Sequence, residues 1–246
     1  MNLLNDLHIL DTMSYTENNP SLLLKAMKTD NYSLAKLLIH NDIRIYEKDN
    51  YNNNALIIAI EKDNMEIIEL LIEKIDIDEP CYKGHTALTY SAKLGNKKLV
   101  EYFLNLGANK EHLTINGSNA LIYGAISGNI EIVNLLIDEF TKYIKNNDGY
   151  DALLYASELG HLDIVKYLLE HGANINVMNN KGKSPLYLAC QNGHKDVVDY
   201  LFNCGKSIDY KLNYFLNKKT IRELNDRNKW NEILDNIAKN LNNIAI

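Results

Sequence analysis

The sequence predicts an all-α array of repeated helix-turn-helix units joined by protruding hairpin loops. Three observations carry that reading. A block of residue types recurs from Ser21, Asn54, Thr86, Asn119, Asp151 and Ser184, and more loosely from Thr220. The steps are 33, 32, 33, 32, 33 and 36 residues, a spacing that marks stacked units, each too small to bury a core alone. All seven start positions carry side chains that accept a hydrogen bond from a free helix N–H, so each suits a helix start. Five positions later stand Ala26, Ala59, Ser91, Gly124, Ala156, Ala189 and Asn225. Six of these are very small, as closely stacked helices require.

The elements follow in order within each unit. A glycine nine residues after the start in four units (Gly95, Gly128, Gly160, Gly193) supplies a left-handed residue to end the first helix. The second helix is marked by apolar pairs at helical spacing: Ile67/Ile68, Leu99/Val100, Ile132/Val133, Ile164/Val165 and Val197/Val198. Turn residues follow, as in Gly107-Ala108-Asn109, Gly172-Ala173-Asn174-Ile175-Asn176 and Gly205-Lys206-Ser207-Ile208-Asp209. Tight turns at Lys83-Gly84, Asn116-Gly117, Asp148-Gly149 and Lys181-Gly182 then lead into the next helix. This phase gives an N-terminal extension at 1–15 and units at 16–48, 49–80, 81–113, 114–145, 146–178 and 179–214. A C-terminal capping repeat and short tail occupy 215–246.

Thr86-Ala87-Leu88, Ser184-Pro185-Leu186 with Ala189, Gly160-His161, Gly193-His194 and the run from Gly172 to Asn176 resemble the ankyrin repeat. The resemblance spans roughly residues 17 to 240. It implies a solenoid of six units plus a degenerate C-terminal cap, with hairpin tips on one edge and a concave groove beside them. Several positions depart from the family pattern. The His that often follows Thr-Pro-Leu is absent throughout. Asp30 and Asp63 stand where Gly is expected, which would shift the left-handed residue to Asn31 or Asn64. Phe140-Thr141-Lys142-Tyr143 replaces a Gly-Ala turn, and the last unit carries Arg222, Asn225 and Asp226 at core positions. Polar substitution suits a terminal cap, and Trp230 would close its core. Units one and two are expected to be the least stable end.

Composition bounds the function class. The net charge of −6 argues against a general nucleic-acid binder, which shows a basic stripe. Cys81, Cys190 and Cys204 are odd in number and widely spaced, which favours a reducing compartment, cytoplasmic or nuclear, over a disulfide framework. No secretory signal is visible at the N-terminus, although secretion as an effector stays open, and no stretch is apolar enough to span a bilayer. A monomer is expected.

No glycine-rich phosphate loop, His-Glu-x-x-His run or paired-cysteine spacing is present. Hence no catalytic, cofactor or metal residues are expected. His161 and His194 share one repeat position before the second helix, where structural hydrogen bonding is the expected role. Cys190 reads as a packed thiol.

The candidate binding residues come from two columns. Seven and eight residues after each start, positions that line the family's groove carry Lys93-Leu94, Ile126-Ser127, Glu158-Leu159 and Gln191-Asn192. Leu94, Ile126 and Leu159 fall where solubility alone would place charges. Tyr82, His85, Ser118 and Tyr150 are expected at the solvent-facing hairpin tips, with Lys183 beside them. Apolar groups ringed by polar ones have the pattern of an interface; packing within the stack is the other reading. The expected function is a non-catalytic scaffold, adaptor or inhibitor, that binds a protein partner through groove and tips. The alternative is a regulatory or targeting subunit, or a host-directed effector. It would use an acidic convex face in the second unit, where Glu66, Glu69 and Glu73 share one helix face.

Overall fold

A computed structural model of the chain describes residues 21–204. The expected N-terminal extension and the capping repeat from Thr220, with Arg222, Asn225, Asp226 and Trp230, lie outside the described residues. The chain divides into two compact units, Met1–Asn147 and Asp148–Ile246.

The first unit holds four helix pairs: α1 (Leu22–Lys28) with α2 (Tyr32–His40), α3 (Ala55–Glu61) with α4 (Met65–Ile72), α5 (Ala87–Lys93) with α6 (Lys97–Asn105), and α7 (Ala120–Ser127) with α8 (Ile130–Leu136). The first helices pack in a row, α1 to α3 to α5 to α7, and among the second helices α2 packs on α4 and α6 on α8. This layering explains the sequence of α3, where every residue from Ala55 to Ile60 is buried: α3 touches its own partner α4 and the first helices on both sides, α1 and α5. The second helices face solvent on one side and bury only a stripe, such as Leu99, Val100 and Phe103 of α6. Fully burying each such side chain stabilises by about 1.5–3 kcal/mol before entropy is counted. Gly124 marks a close approach between two paired helices. A Cβ there would sit 2.9 Å from Ile132 Cγ2, inside its own helix pair.

Every first helix of this unit is capped by the residue at its repeat start. Ser21, Asn54, Thr86 and Asn119 accept from the backbone N–H of Leu24, Ile57, Thr89 and Ile122. A second column of caps was not part of the sequence reading. Asn31, Asn64, Asn96 and Asn129 accept from the N–H three residues on and start α2, α4, α6 and α8. The left-handed residue also stands elsewhere than expected in the first two repeats. It is Asp30 (φ 58°) and Asp63 (φ 50°) themselves, because Asn31 and Asn64 are already committed as caps. Phe140 precedes a 3-10 turn, Thr141–Tyr143, where Asp138 accepts from the Phe140 and Thr141 N–H groups at 3.0 and 2.8 Å.

Charged side chains tie successive repeats along the outside of this unit. Lys36 reaches Glu66, Lys62 reaches Asp30, Lys74 reaches Asp42 and Lys97 reaches Glu131. Each pair is exposed and stabilises by about 0–1 kcal/mol.

In the second unit, α9 (Ala152–Leu159) pairs with α10 (Leu162–Glu170), and α11 (Pro185–Asn192) with α12 (Lys195–Cys204). First helix packs on first and second on second, as before. Asp151 and Ser184 cap α9 and α11, and Gly160 (φ 78°) and Gly193 (φ 82°) end them. Pro185 occupies the first turn of α11, where its missing N–H costs nothing.

Candidate functional site

In the first unit the surface is built by the hairpins and the C-terminal ends of the first helices. Adjacent hairpins are joined edge to edge: Ile115 N–H donates to the Lys83 carbonyl at 2.9 Å, and Asn147 N–H to the Asn116 carbonyl at 2.8 Å. Each hairpin is closed at its base, by Cys81 N–H to the His85 carbonyl (2.8 Å) and Thr114 N–H to the Ser118 carbonyl (3.0 Å). His85 and Ser118 therefore lie on the returning arm, beneath the tip.

This corrects the expectation that both face solvent. His85 is 2% exposed and Ser118 0%. The His85 ring packs against Tyr90 and Tyr123, with centroids 5.4 and 4.8 Å away, and its Nδ1 lies 3.2 Å from Thr89 Oγ1. Burial, followed by the ammonium groups of Lys93 and Lys83, pushes the imidazole down to about 4. Ser118 Oγ is buried without a hydrogen-bond partner.

Several polar groups along this surface are already engaged, within a repeat or across two. Lys28 Nζ lies 2.6 Å from Asp49, and the Tyr90 hydroxyl donates to the Glu61 carboxylate. The Tyr123 hydroxyl lies 3.2 Å from Thr114 Oγ1 and donates to Asn116 Oδ1 at 3.3 Å. Ser127 Oγ returns to the Gly124 carbonyl at 2.8 Å. Five expected residues stay open to solvent in full or part: Lys93 and Leu94 are exposed, Leu94 by 48%, while Tyr82, Ile126 and Ser127 are half-buried. The sequence reading missed Tyr51 and Ile115, the tip residues exposed by 70% and 76%. Ile115 stands one repeat after Tyr82, and that column was the signal available.

In the second unit, Tyr150 is half-buried against Tyr155, with ring centroids 4.7 Å apart, and its hydroxyl donates to Glu158 at 3.4 Å. Leu159 is 43% exposed. Lys183 Nζ donates to Gln191 Oε1 at 2.8 Å, and Gln191 and Asn192 are exposed. His194 has the structural role expected of it, its Nε2 lying 2.8 Å from the Glu158 carbonyl. His161 is the N-cap residue of α10 but makes no side-chain cap bond. Cys190 is 4% exposed, and burial pushes its thiol up to about 12.

On the outer face of α4, Glu66 and Glu69 are exposed along with Glu73 at the helix end. Lys36 already pairs with Glu66. Among the described residues, no group of three His, Cys, Asp or Glu is placed to hold a metal, and no helix is long and apolar enough to cross a membrane. The chemistry both surfaces offer is hydrogen bonding, charge pairing and apolar contact.

The family model for ankyrin repeats (3 copies) matches residues 2–81, 22–114, 75–147, 103–179 and 140–213. An ankyrin repeat protein of variola virus is 26% identical over 127 residues, 50% of this chain and 23% of that protein. A phosphocholine transferase of Legionella pneumophila is 28% identical over 156 residues, 61% of this chain and 16% of that protein. The chain thus spans less than a quarter of the length of either relative. Among solved structures, the crystal structure of EF0377, an ankyrin repeat protein, superposes with a TM-score of 0.64 at 28% identity. That match covers 73% of this chain and 95% of that one.

Proposed function

The chain belongs to the ankyrin repeat family, and on that premise we propose that it is a non-catalytic adaptor or inhibitor that recognises a protein partner through its groove and hairpin tips. Ankyrin repeats generally mediate protein–protein interactions and form non-catalytic scaffolds; enzymes that contain them, such as the Legionella transferase, are larger proteins. One observation carries the reading. Leu94 and Leu159 stay 48% and 43% exposed at helix ends, while Tyr90, Tyr123, Tyr150 and Lys183 are tied into each unit's own hydrogen-bond network. A surface whose polar groups are already ordered loses little side-chain entropy on binding. Free cysteines at Cys81, Cys190 and Cys204 fit a reducing cytoplasm or nucleus.

Affinity capture tests the proposal, with wild type compared against a Leu94→Lys/Leu159→Lys double variant of unchanged circular dichroism. Partners retained by the wild type and lost from the variant are expected. Retention of the same partners at the same level would contradict the proposal. A second reading, a host-directed effector, draws on the viral and Legionella relatives. It would use the acidic outer face of α4, and charge reversal at Glu69 and Glu73 would then abolish capture.

A further inference from the structure

On the same groove reading, the third and fourth repeats carry a local charge arrangement that specifies what kind of segment docks there. Proceeding along the column seven residues after each start, Lys28 is neutralised by Asp49 and Glu61 is held by the Tyr90 hydroxyl. Lys93 comes next and has no carboxylate within ion-pair distance among the described residues. The same holds for Lys83 at the adjacent tip. Lys36, Lys48, Lys62, Lys74 and Lys97 of this unit all have one.

Both lysines rest on aromatic rings instead. Lys83 Nζ lies 5.0 Å from the Tyr82 ring centroid and Lys93 Nζ 5.4 Å from that of Tyr90. The Tyr90 ring under Lys93 packs against His85 with centroids 5.4 Å apart, and Lys83 stands two residues before His85 on the same hairpin, so the two charges lie near one residue. Apolar groups border it: Leu94, 48% exposed, and Ile115, 76% exposed, whose Cγ1 lies 3.2 Å from where a Cβ on Gly84 would stand.

We infer that the face formed by Lys83, Lys93, Leu94 and Ile115 is a docking site for an extended acidic protein segment bearing a large apolar side chain. The carboxylates would meet the two ammonium groups, and the apolar side chain would cover Leu94 and Ile115. Two uncompensated cations on a chain of net charge −6 make a positive spot that selects locally for anions. A peptide fits better than a nucleic acid, because a phosphate backbone would gain nothing from Leu94 and Ile115.

The test selects displayed random 16-residue peptides on the full chain at ~0.1 M salt, a concentration that leaves contact pairs intact. Enriched sequences are expected to combine Asp or Glu with Leu, Phe, Tyr or Trp. A Lys83→Glu/Lys93→Glu variant of unchanged circular dichroism should bind them about tenfold more weakly or worse. Enriched peptides that are neutral or basic, or acidic ones unaffected by the charge reversal, overturn this inference and leave the groove reading standing. Absence of any enriched peptide overturns both. A single-stranded oligonucleotide that competes with the selected peptides at equal concentration, through the same two lysines, also overturns the peptide assignment.

Discussion

The imidazole of His194 is seated over the end of the preceding repeat's first helix, its Nε2 2.8 Å from the backbone carbonyl of Glu158. The ring takes the space beside Gly160, where a Cβ would stand 2.4 Å from His194 Nδ1. Gly160 also has φ 78°, so two constraints coincide on one residue. Asn129 plays the corresponding part in the first unit, its Nδ2 donating to the Gly95 carbonyl at 3.2 Å. The residue that starts a second helix thus reaches back and satisfies a carbonyl of the repeat before it.

That relationship predicts coupling. Gly160→Ala should cost roughly 2–4 kcal/mol, from the left-handed backbone and the clash with a ring that is held in place. Removing the ring as well should restore part of it. In urea unfolding, the Gly160→Ala/His194→Ala double variant is expected to lie at least ~1 kcal/mol above the sum of the single effects. Strict additivity would mean that the ring is free to move.

His85 predicts a dependence on pH. Its folded value of about 4 lies below the usual 6.5, so protons bind the unfolded chain first. Its contribution to stability is complete above about pH 6.5 and falls away as the pH drops towards 4, by an amount on the order of 3 kcal/mol. The stability of wild type minus that of His85→Asn should therefore decline from pH 6.5 to 4. A flat difference would show that the imidazole is not buried as described.

Backbone conformation predicts an uneven first unit. Non-glycine residues with left-handed φ are Asp30, Asp42, Arg44, Asn52, Asp63 and Lys83, and from Gly84 onward every described residue of that kind is glycine. Each non-glycine residue costs roughly 1–2 kcal/mol, with Asp and Asn at the low end. Amides of α1 to α4 should exchange faster than those of α5 to α8. Equal protection across the four repeats would refute this, and Arg44→Gly should raise the protection of the first repeats.

Thiol reactivity predicts accessibility. Cys81 and Cys190 are buried, with thiols pushed up to about 12 by burial, whereas Cys204 is exposed. Iodoacetamide at neutral pH should label Cys204 in the folded protein and reach the other two only after denaturation. Rapid labelling of Cys81 in the native state would show that the base of the third hairpin opens.

The period and the chemistry of its start positions made the helix pairs legible, because capping and small-residue packing act within one repeat or between identical positions. The ends of elements were less so. Asp30 and Asp63 carry the left-handed backbone that glycine holds elsewhere, and nothing within one repeat shows that Asn31 and Asn64 are needed as caps. His85 and Ser118 were misplaced for a related reason. They follow the glycine of the tip and so sit on the arm returning to the stack, and the Tyr90 and Tyr123 rings that cover His85 come from the following helix and from the next repeat. Leu94 and Leu159 could be read directly, because the residue before a helix-ending glycine has no later turn to cover it. Lys83 and Lys93 could not be singled out by charge alone, since lysines such as Lys36, Lys62, Lys74 and Lys97 differ from them only in having a carboxylate about one repeat away.

Photo-crosslinking from a benzoylphenylalanine placed at Leu94, compared with one at Glu69, tests the recognition surface most directly. Crosslinks to a captured protein partner from position 94 and none from position 69 are the expected result. Crosslinks from position 69 alone would contradict the account and move the binding site to the acidic outer face of α4.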